Sequence, residues 1–191
     1  RAKLRAEELV QQLSPPEMEW TIIRLGYLYG PRNRTMKAYI EPVMHDSWMM
    51  IIGDGQNQLA LVYVEDAARA VLLAGCKAEA VGQILIVGPS QLITQQQYFD
   101  AMGDGFGVPR VKKRIPYNVA MFWAWVGEKV IKTGPKAAAA RRSAVALNGL
   151  PQRFNCEHTQ KLLGWRATMD FEEGIRKTFE WYHKEYGVPS S

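Results

Sequence analysis

Apolar and polar positions along this chain change period several times, and each change marks an element. Residues 2–13 carry Leu4, Leu9, Val10 and Leu13 at near-helical spacing, and Ser14-Pro15-Pro16 ends that run. Thr21 to Leu25 is a short β-branched run that predicts a buried strand, broken by Gly30-Pro31. Met36 to Met44 predicts a helix, with Pro42 as an interruption. Met49–Ile52 and Leu59–Val64 predict short strands, the first closed by the turn Gly53-Asp54-Gly55. Asp66 to Gly75 is an Ala-rich helix with Glu65 and Asp66 near its start, where acidic side chains suit the dipole. Gln83–Val87 predicts another buried strand, closed by Gly88-Pro89.

Beyond residue 90 the helical period dominates. Thr94 is the expected cap of a helix over Gln95–Met102, with Gln97 at the capping-box position. Gly103 to Gly107 reads as a loop. Helices are predicted over 117–132, 137–147, Cys156–Leu163 and Phe171–Tyr186; Gly134-Pro135 separates the first two and Gly164 ends the third. Alternating strands and helices followed by helices predict an α/β architecture with an appended, mostly helical region. Trp165, Phe171, Phe179 and Trp181 are expected core residues that pin the last helix, and Asp66 is expected to orient a helix start or a nearby loop.

Composition narrows the possibilities. The 191 residues are 47% hydrophobic and 23% charged, ordinary values for a globular chain. The net charge of +5 is spread thinly, in short groups such as Lys112-Lys113-Arg114 and Arg141-Arg142. That pattern predicts solvated basic faces and no nucleic-acid surface. Cys76 and Cys156 show no CxxC spacing, which predicts free thiols in a reducing, cytoplasmic setting. The three histidines are scattered, so no metal site is expected. The apolar stretch Tyr117–Val126 is shorter than the ~20 residues that span a bilayer. It predicts a buried or substrate-covering helix, with peripheral membrane contact through 117–131 as the alternative. The chain has no initiator Met and opens on a helix already under way, so the expectation is the later portion of a longer enzyme.

Several segments then fall in order: Lys3-x-x-x-Glu7; Arg24-Leu25-Gly26-Tyr27-Leu28-Tyr29-Gly30-Pro31-Arg32; Gly53-Asp54-Gly55; Val62-Tyr63-Val64-Glu65-Asp66-Ala67-Ala68; Leu163-Gly164-Trp165; and Phe171-Glu172-Glu173-Gly174-Ile175 through Trp181-Tyr182. Together they resemble the C-terminal half of the extended short-chain dehydrogenase/reductases, the NAD-dependent epimerase/dehydratase group. The resemblance covers nearly the whole chain. It implies the last strands of a doubly wound parallel (Rossmann) sheet at 1–35 and 60–90, a small substrate-binding lobe at 36–59 and 91–186, and a tail at 187–191.

The resemblance also implies a chemistry. In that family a Tyr lies four positions before a Lys on one helix, so both share a face. The ammonium lowers the tyrosine pKa and holds the nicotinamide ribose, and the tyrosine exchanges a proton with the substrate oxygen. The Lys aligns with Lys3, which by itself reads as an ordinary exposed helix lysine; the Tyr would fall before Arg1. The family's Gly-rich phosphate loop is expected upstream as well, so this stretch alone is expected to be inactive. Lys3, Leu25, Gly26 and Leu28 are the implied contacts to NAD or NADP, with Tyr27 and Arg32 toward the substrate. At Gly26 the missing Cβ permits close backbone approach to the cofactor; the alternative is a strand-to-loop turn that needs glycine for its own geometry.

Nucleotide-sugar epimerases of this group usually carry an Arg at the position of Leu59, contacting the substrate diphosphate. An apolar strand there is poor diphosphate chemistry. With Tyr27 at the place of their substrate-contacting Asn, the chain looks more like the 3β-hydroxysteroid dehydrogenase and dihydroflavonol reductase branch. The expected substrate is a hydrophobic secondary alcohol or ketone. Alternatives are a nucleotide-sugar epimerase or dehydratase, and a non-catalytic binding module using the same lobe. An apolar sheet edge beside Thr21–Leu25 predicts part of a larger protein, association with a chain that supplies further strands, or swapping of elements in an oligomer. The resemblance implies a homodimer contact over residues 1–13.

Overall fold

A computed structural model describes residues 2–46, 48–131, 133 and 141–187, apart from the side chain of Tyr39. In chain order the elements are α1 (Ala2–Leu13), β1 (Ile22–Leu25), β2 (Tyr27–Tyr29), a π-helical turn Met36–Ile40 leading into α2 (Glu41–His45), β3 (Ile51–Ile52), β4 (Gln58–Leu59), β5 (Leu61–Tyr63), α3 (Val64–Cys76) and β6 (Ile84–Val87). There follow β7 (Ile93–Thr94), α4 (Gln95–Phe106), β8 (Arg114–Ile115), α5 (Tyr117–Val130), α6 (Arg142–Gly149), α7 (Glu157–Leu163) and α8 (Phe171–Tyr186). Positions 137–140 of the helix expected at 137–147, and residues 188–191, lie outside the described residues.

The strands are organised by two extended segments that change partners midway. β1 runs parallel to β6, Ile22 opposite Ile84 and Leu25 opposite Val87. β2 runs parallel to β5, Tyr27 opposite Leu61. Gly26 is the switch: its N–H donates to the Val87 carbonyl at 3.0 Å, and the next N–H, of Tyr27, donates to the Ala60 carbonyl at 2.8 Å. Ala60 is the matching joint of the second segment, because β4 pairs antiparallel with β7 while β5 pairs with β2.

β5 is buried on both faces, as parallel strands usually are. Val62 joins one apolar cluster with Ala67, Ala70 and Ala74 of α3, Leu85, Val87, Leu163 and Trp165. Leu61 and Tyr63 point into the other, with Tyr29, Phe99, Met102, Phe106, Phe171, Phe179 and Tyr182. The small alanine face of α3 therefore lies against the strands. Trp165, Phe171 and Phe179 are buried as expected, and Trp181 packs at the margin.

Three expectations change. Gly103 to Phe106 is the last turn of α4, and only Gly107 leaves the helix, as a left-handed C-cap with φ 66°. The glycines serve packing: a Cβ on Gly105 would lie 2.1 Å from the Phe179 ring. The helix expected over Met36–Met44 is also split. Pro42 has no N–H to continue the ladder, and the turn before it widens so that Glu41 N–H bonds to the Met36 carbonyl. Of the alternatives for α5, the fully buried helix does not form: Ala120, Ala124 and Gly127 are its buried residues. Among the described residues no helix is long and apolar enough to cross a membrane.

Two polar latches close the fold. Asp66, 3% exposed, accepts the N–H groups of Thr168 (3.0 Å) and Met169 (2.9 Å) and pairs with Arg69 at 2.7 Å. Its carbonyl accepts the Trp165 indole N–H at 3.0 Å. Asp66 thus holds the loop between α7 and α8 against the start of α3. Truncating it leaves the two inward-facing N–H donors of Thr168 and Met169 without their acceptor, so Asp66→Ala should cost about 3 kcal/mol. Calorimetry should show a Tm lower by roughly 6–12 °C; a loss under about 2 °C would contradict the latch.

The second latch is Glu41, which accepts from the Tyr182 hydroxyl at 2.5 Å and from Lys37 at 2.9 Å, joining α2 to α8. Burial pushes the Glu41 carboxyl up, but the hydrogen bonds from Tyr182 and Lys37 and the nearby charges outweigh it, and the net shift is below 4.5. A depressed carboxylate contributes stability that is present above its unfolded value and lost as pH falls through the folded one. Wild type should therefore lose Tm below about pH 4.5 more steeply than Glu41→Gln. Parallel acid profiles of the two would remove Glu41 from the acid response.

Candidate functional site

A cavity of about 940 Å³ opens between the strands and the later helices. β2 contributes Tyr27, the strands β4 and β5 contribute Leu59 and Leu61, and α4 contributes Tyr98 and Phe99. The opposite wall comes from Trp48, Met49 and Met50 and from Ala120, Trp123 and Ala124 of α5, with Asn148 and Gln152 at its end. These parts meet because Ile52 of β3, Ala120, Ala124 and Val145 form a small core of their own, which holds α5 and α6 over the strands.

None of the described lining residues carries a charge. The polar groups are few: the hydroxyls of Tyr27, Thr35 and Tyr98, the Trp48 indole, and the amides of Asn148 and Gln152. Gln152 already uses its carbonyl on the Ala60 N–H at 3.1 Å. Behind the wall Gln95 is fully buried; its carbonyl accepts from Ile52 N–H at 3.0 Å, and among the described residues its amide nitrogen has no partner.

Tyr27 and Tyr98 line the cavity together, and each phenol shifts the titration of the other. Burial raises the Tyr27 pKa above 10, with Tyr98 pulling it partly back. Burial raises Tyr98 well above 10, and the charge of Tyr27 adds to that. Both phenols are neutral at pH 7, so they act as hydrogen-bond donors and acceptors.

Of the residues singled out in the sequence, Tyr27 lines this cavity. Gly26 lies next to it, half-buried, and its absent side chain has a structural cause: a Cβ there would stand 2.7 Å from the Ala60 carbonyl oxygen and 2.8 Å from a Val62 methyl. Leu25, the last residue of β1, and Leu28, in the middle of β2, are each 38% exposed and outside the cavity lining. Arg32 is exposed, outside the lining, in a left-handed conformation (φ 66°) that a non-glycine residue rarely adopts. Lys3 is exposed on α1. It shares a helix face with Glu7, whose carboxylate takes a bidentate pair from Arg24 of β1 (2.6 Å at the closest). That pair sets the Lys3 face of α1 beside the end of β1 that leads to Gly26.

The sequence reading did not pick out Tyr98, Trp48, Asn148 or Gln152. Tyr98 sat in a correctly expected helix, and its adjacency to Tyr27 depends on a contact 71 positions apart in the chain, which no local pattern reveals.

Residues 1–88 match the family model described as the NAD dependent epimerase/dehydratase family. The chain is 27% identical over 191 residues to the decarboxylating sterol-4-alpha-carboxylate 3-dehydrogenase of Schizosaccharomyces pombe, covering 96% of this chain and 56% of that protein. The mouse protein of the same description is 24% identical, with 95% and 53% covered. The chain thus spans about half the length of these relatives. Among solved structures, UDP-glucose 4-epimerase from Thermotoga maritima, with UDP-glucose, superposes at a TM-score of 0.61 and 20% identity, covering 96% of this chain and 51% of that one. UDP-glucuronic acid 4-epimerase from Bacillus cereus, in complex with NAD, gives 0.61 at 15% identity, covering 96% and 50%. At these identities the structural likeness establishes the fold.

Because the Gly26 site is closed by backbone, Gly26→Ala should destabilise the protein by about 1–3 kcal/mol with no cofactor present. Thermal denaturation of the cofactor-free protein checks this. An unchanged Tm, with only cofactor affinity lost, would mean that the glycine serves a ligand and not the strand switch.

Proposed function

We propose that this chain, which belongs to the NAD dependent epimerase/dehydratase family, forms the nicotinamide-side and substrate-side half of an NAD(P)-dependent oxidoreductase for a hydrophobic secondary alcohol or ketone. The observation that carries the substrate class is the uncharged lining of the 940 Å³ cavity. A diphosphate needs cations or a cradle of backbone N–H groups; Leu59 and Leu61 supply neither. The sterol dehydrogenases among the relatives support the same class. The UDP-sugar enzymes among the structural neighbours share the fold.

The residues fit one end of the cofactor. Leu25 and Leu28 expose apolar surface on either side of Gly26, suited to a flat, uncharged ring. Lys3 has the donors to hold ribose hydroxyls. The pyrophosphate end does not fit: the glycines at 103–107 lie in and at the end of α4, after a helix and not after a strand. Bound NAD(P) supplies hydride transfer at the substrate carbon. On the chain's side, Tyr27 holds the substrate oxygen through its neutral hydroxyl, Tyr98 fixes the orientation of that hydroxyl, and the apolar walls exclude water.

The rest of the sheet belongs against β1 and α1. α1 buries none of its residues and displays Leu4, Leu9, Val10 and Leu13. Among the described residues β1 has β6 as its sole strand partner, whereas β6 is closed on its far side by Thr159, whose hydroxyl accepts the Ile86 N–H at 2.8 Å. Further parallel strands, from the same protein or from another chain, complete this layer, and α1 also offers a homodimer contact.

Steady-state assays of the intact protein with NAD and NADP test the reading. Turnover is expected with hydrophobic secondary alcohols and not with UDP-sugars. Leu59→Arg should reduce kcat/KM for the alcohol by about 100-fold, the cost of a charge placed in an apolar site. Turnover of a UDP-sugar alone would replace the substrate class, and no cofactor binding at all would favour a non-catalytic binding module.

A further inference from the structure

Lys3 and Glu7 stand four positions apart on α1, neighbours on one helix face and within reach of an ion pair. They do not form one. Among the described residues Lys3 has neither a hydrogen bond nor an ion pair, while both acids of α1 are taken by arginines. Glu8 is held by Arg5 of the same helix at 3.0 Å. Glu7 is held by Arg24 of β1. The Arg24 Nε donates to both carboxylate oxygens at 3.1 Å, and an outer guanidinium nitrogen donates to one of them at 2.6 Å. The hydrogen bonds from Arg24 hold the Glu7 carboxyl below its ordinary value, so it is a carboxylate at pH 7.

From this arrangement we infer that Arg24 is a positioning residue for Lys3: by occupying both oxygens of Glu7, it keeps the Lys3 ammonium unpaired. Arg24 wins the competition for Glu7 for two reasons. Its planar fork makes several bonds to a carboxylate at once, whereas an ammonium is a single point charge. A helical pair with the base N-terminal to the acid is also the weaker of the two orientations. The Glu7 side chain is 17% exposed and that of Arg24 43%, so the acid is the shielded partner. The same pair joins α1 to β1 two residues before Gly26, so the unpaired ammonium sits on a helix docked beside the strand switch. The use of that ammonium rests on the proposed function, in which Lys3 holds ribose hydroxyls. Captured by Glu7, Lys3 would spend a donor and much of its charge on a neighbour of its own helix.

Competitive acetylation of the intact, cofactor-free protein, read lysine by lysine by mass spectrometry, tests this. Only the unprotonated amine reacts, so pairing with Glu7 slows Lys3. Measured against the exposed Lys161 of α7, Lys3 should react about twofold more slowly in Arg24→Gln than in wild type. Arg24→Gln/Glu7→Gln should recover the wild-type rate. Glu7→Gln alone, which leaves Arg24 an acceptor, should change nothing. A Lys3 rate that is unchanged or faster in Arg24→Gln would overturn the inference, because the pair would then only dock α1. So would a rise of about twofold in Glu7→Gln, which would mean that Glu7 already holds Lys3; this arm keeps its force even where Arg24→Gln does not fold. Protection of Lys3 by added NADH is a separate readout and tests the proposed function alone.

Discussion

The architecture depends on one close contact, the approach of the backbone at Gly26 to the Ala60 carbonyl. Two extended segments exchange partners at these joints: 22–29 passes from β6 to β5, and 58–63 passes from β7 to β2. A side chain at Gly26 would push the segments apart at the point where Tyr27 turns toward the cavity. The glycine that suggested room for a cofactor is thus first a condition for the strand switch, and the switch is what delivers Tyr27.

Around that joint the two apolar clusters do different work. The alanine face of α3, with Leu85, Val87 and Trp165, makes a flat, tightly closed layer. The other side is built from large rings and methionines, and there the packing opens into the cavity. With no charged residue among the described lining, the cavity offers apolar contact and a few neutral hydroxyl and amide groups. The same apolar character continues outward across Trp123 to the exposed face of α5, so site and surface follow one chemical logic.

Local signals in the sequence carried much of this. The Thr94–Gln97 capping box forms as expected, Asp66 ties a distant loop to a helix start, and the terminal helix runs over Phe171–Tyr186 as its apolar spacing predicted. What failed was set by distant packing. Gly103 and Gly105 read as loop residues because glycine usually signals a break, yet Gly105 is helical so that the Phe179 ring can lie against it. Pro42 was visible as an obstacle, but its resolution through a π-helical turn was not. In the site, Tyr27 was singled out only through the family resemblance of the Leu25-Gly26-Tyr27 segment. Tyr98, Asn148 and Gln152 were not, because their roles exist only once α4 and α6 fold over the strands. The apolar character of Leu59 and of the 117–126 stretch did point to the kind of cavity that the structure contains.

The central claim is that this cavity takes a neutral, hydrophobic hydroxy compound. Isothermal titration of the intact, cofactor-loaded protein with a hydrophobic secondary alcohol and with a UDP-sugar addresses it most directly. Saturable binding of the alcohol with a negative heat-capacity change, and none of the UDP-sugar, is the predicted result. Tight binding of the UDP-sugar with no binding of the alcohol would contradict it.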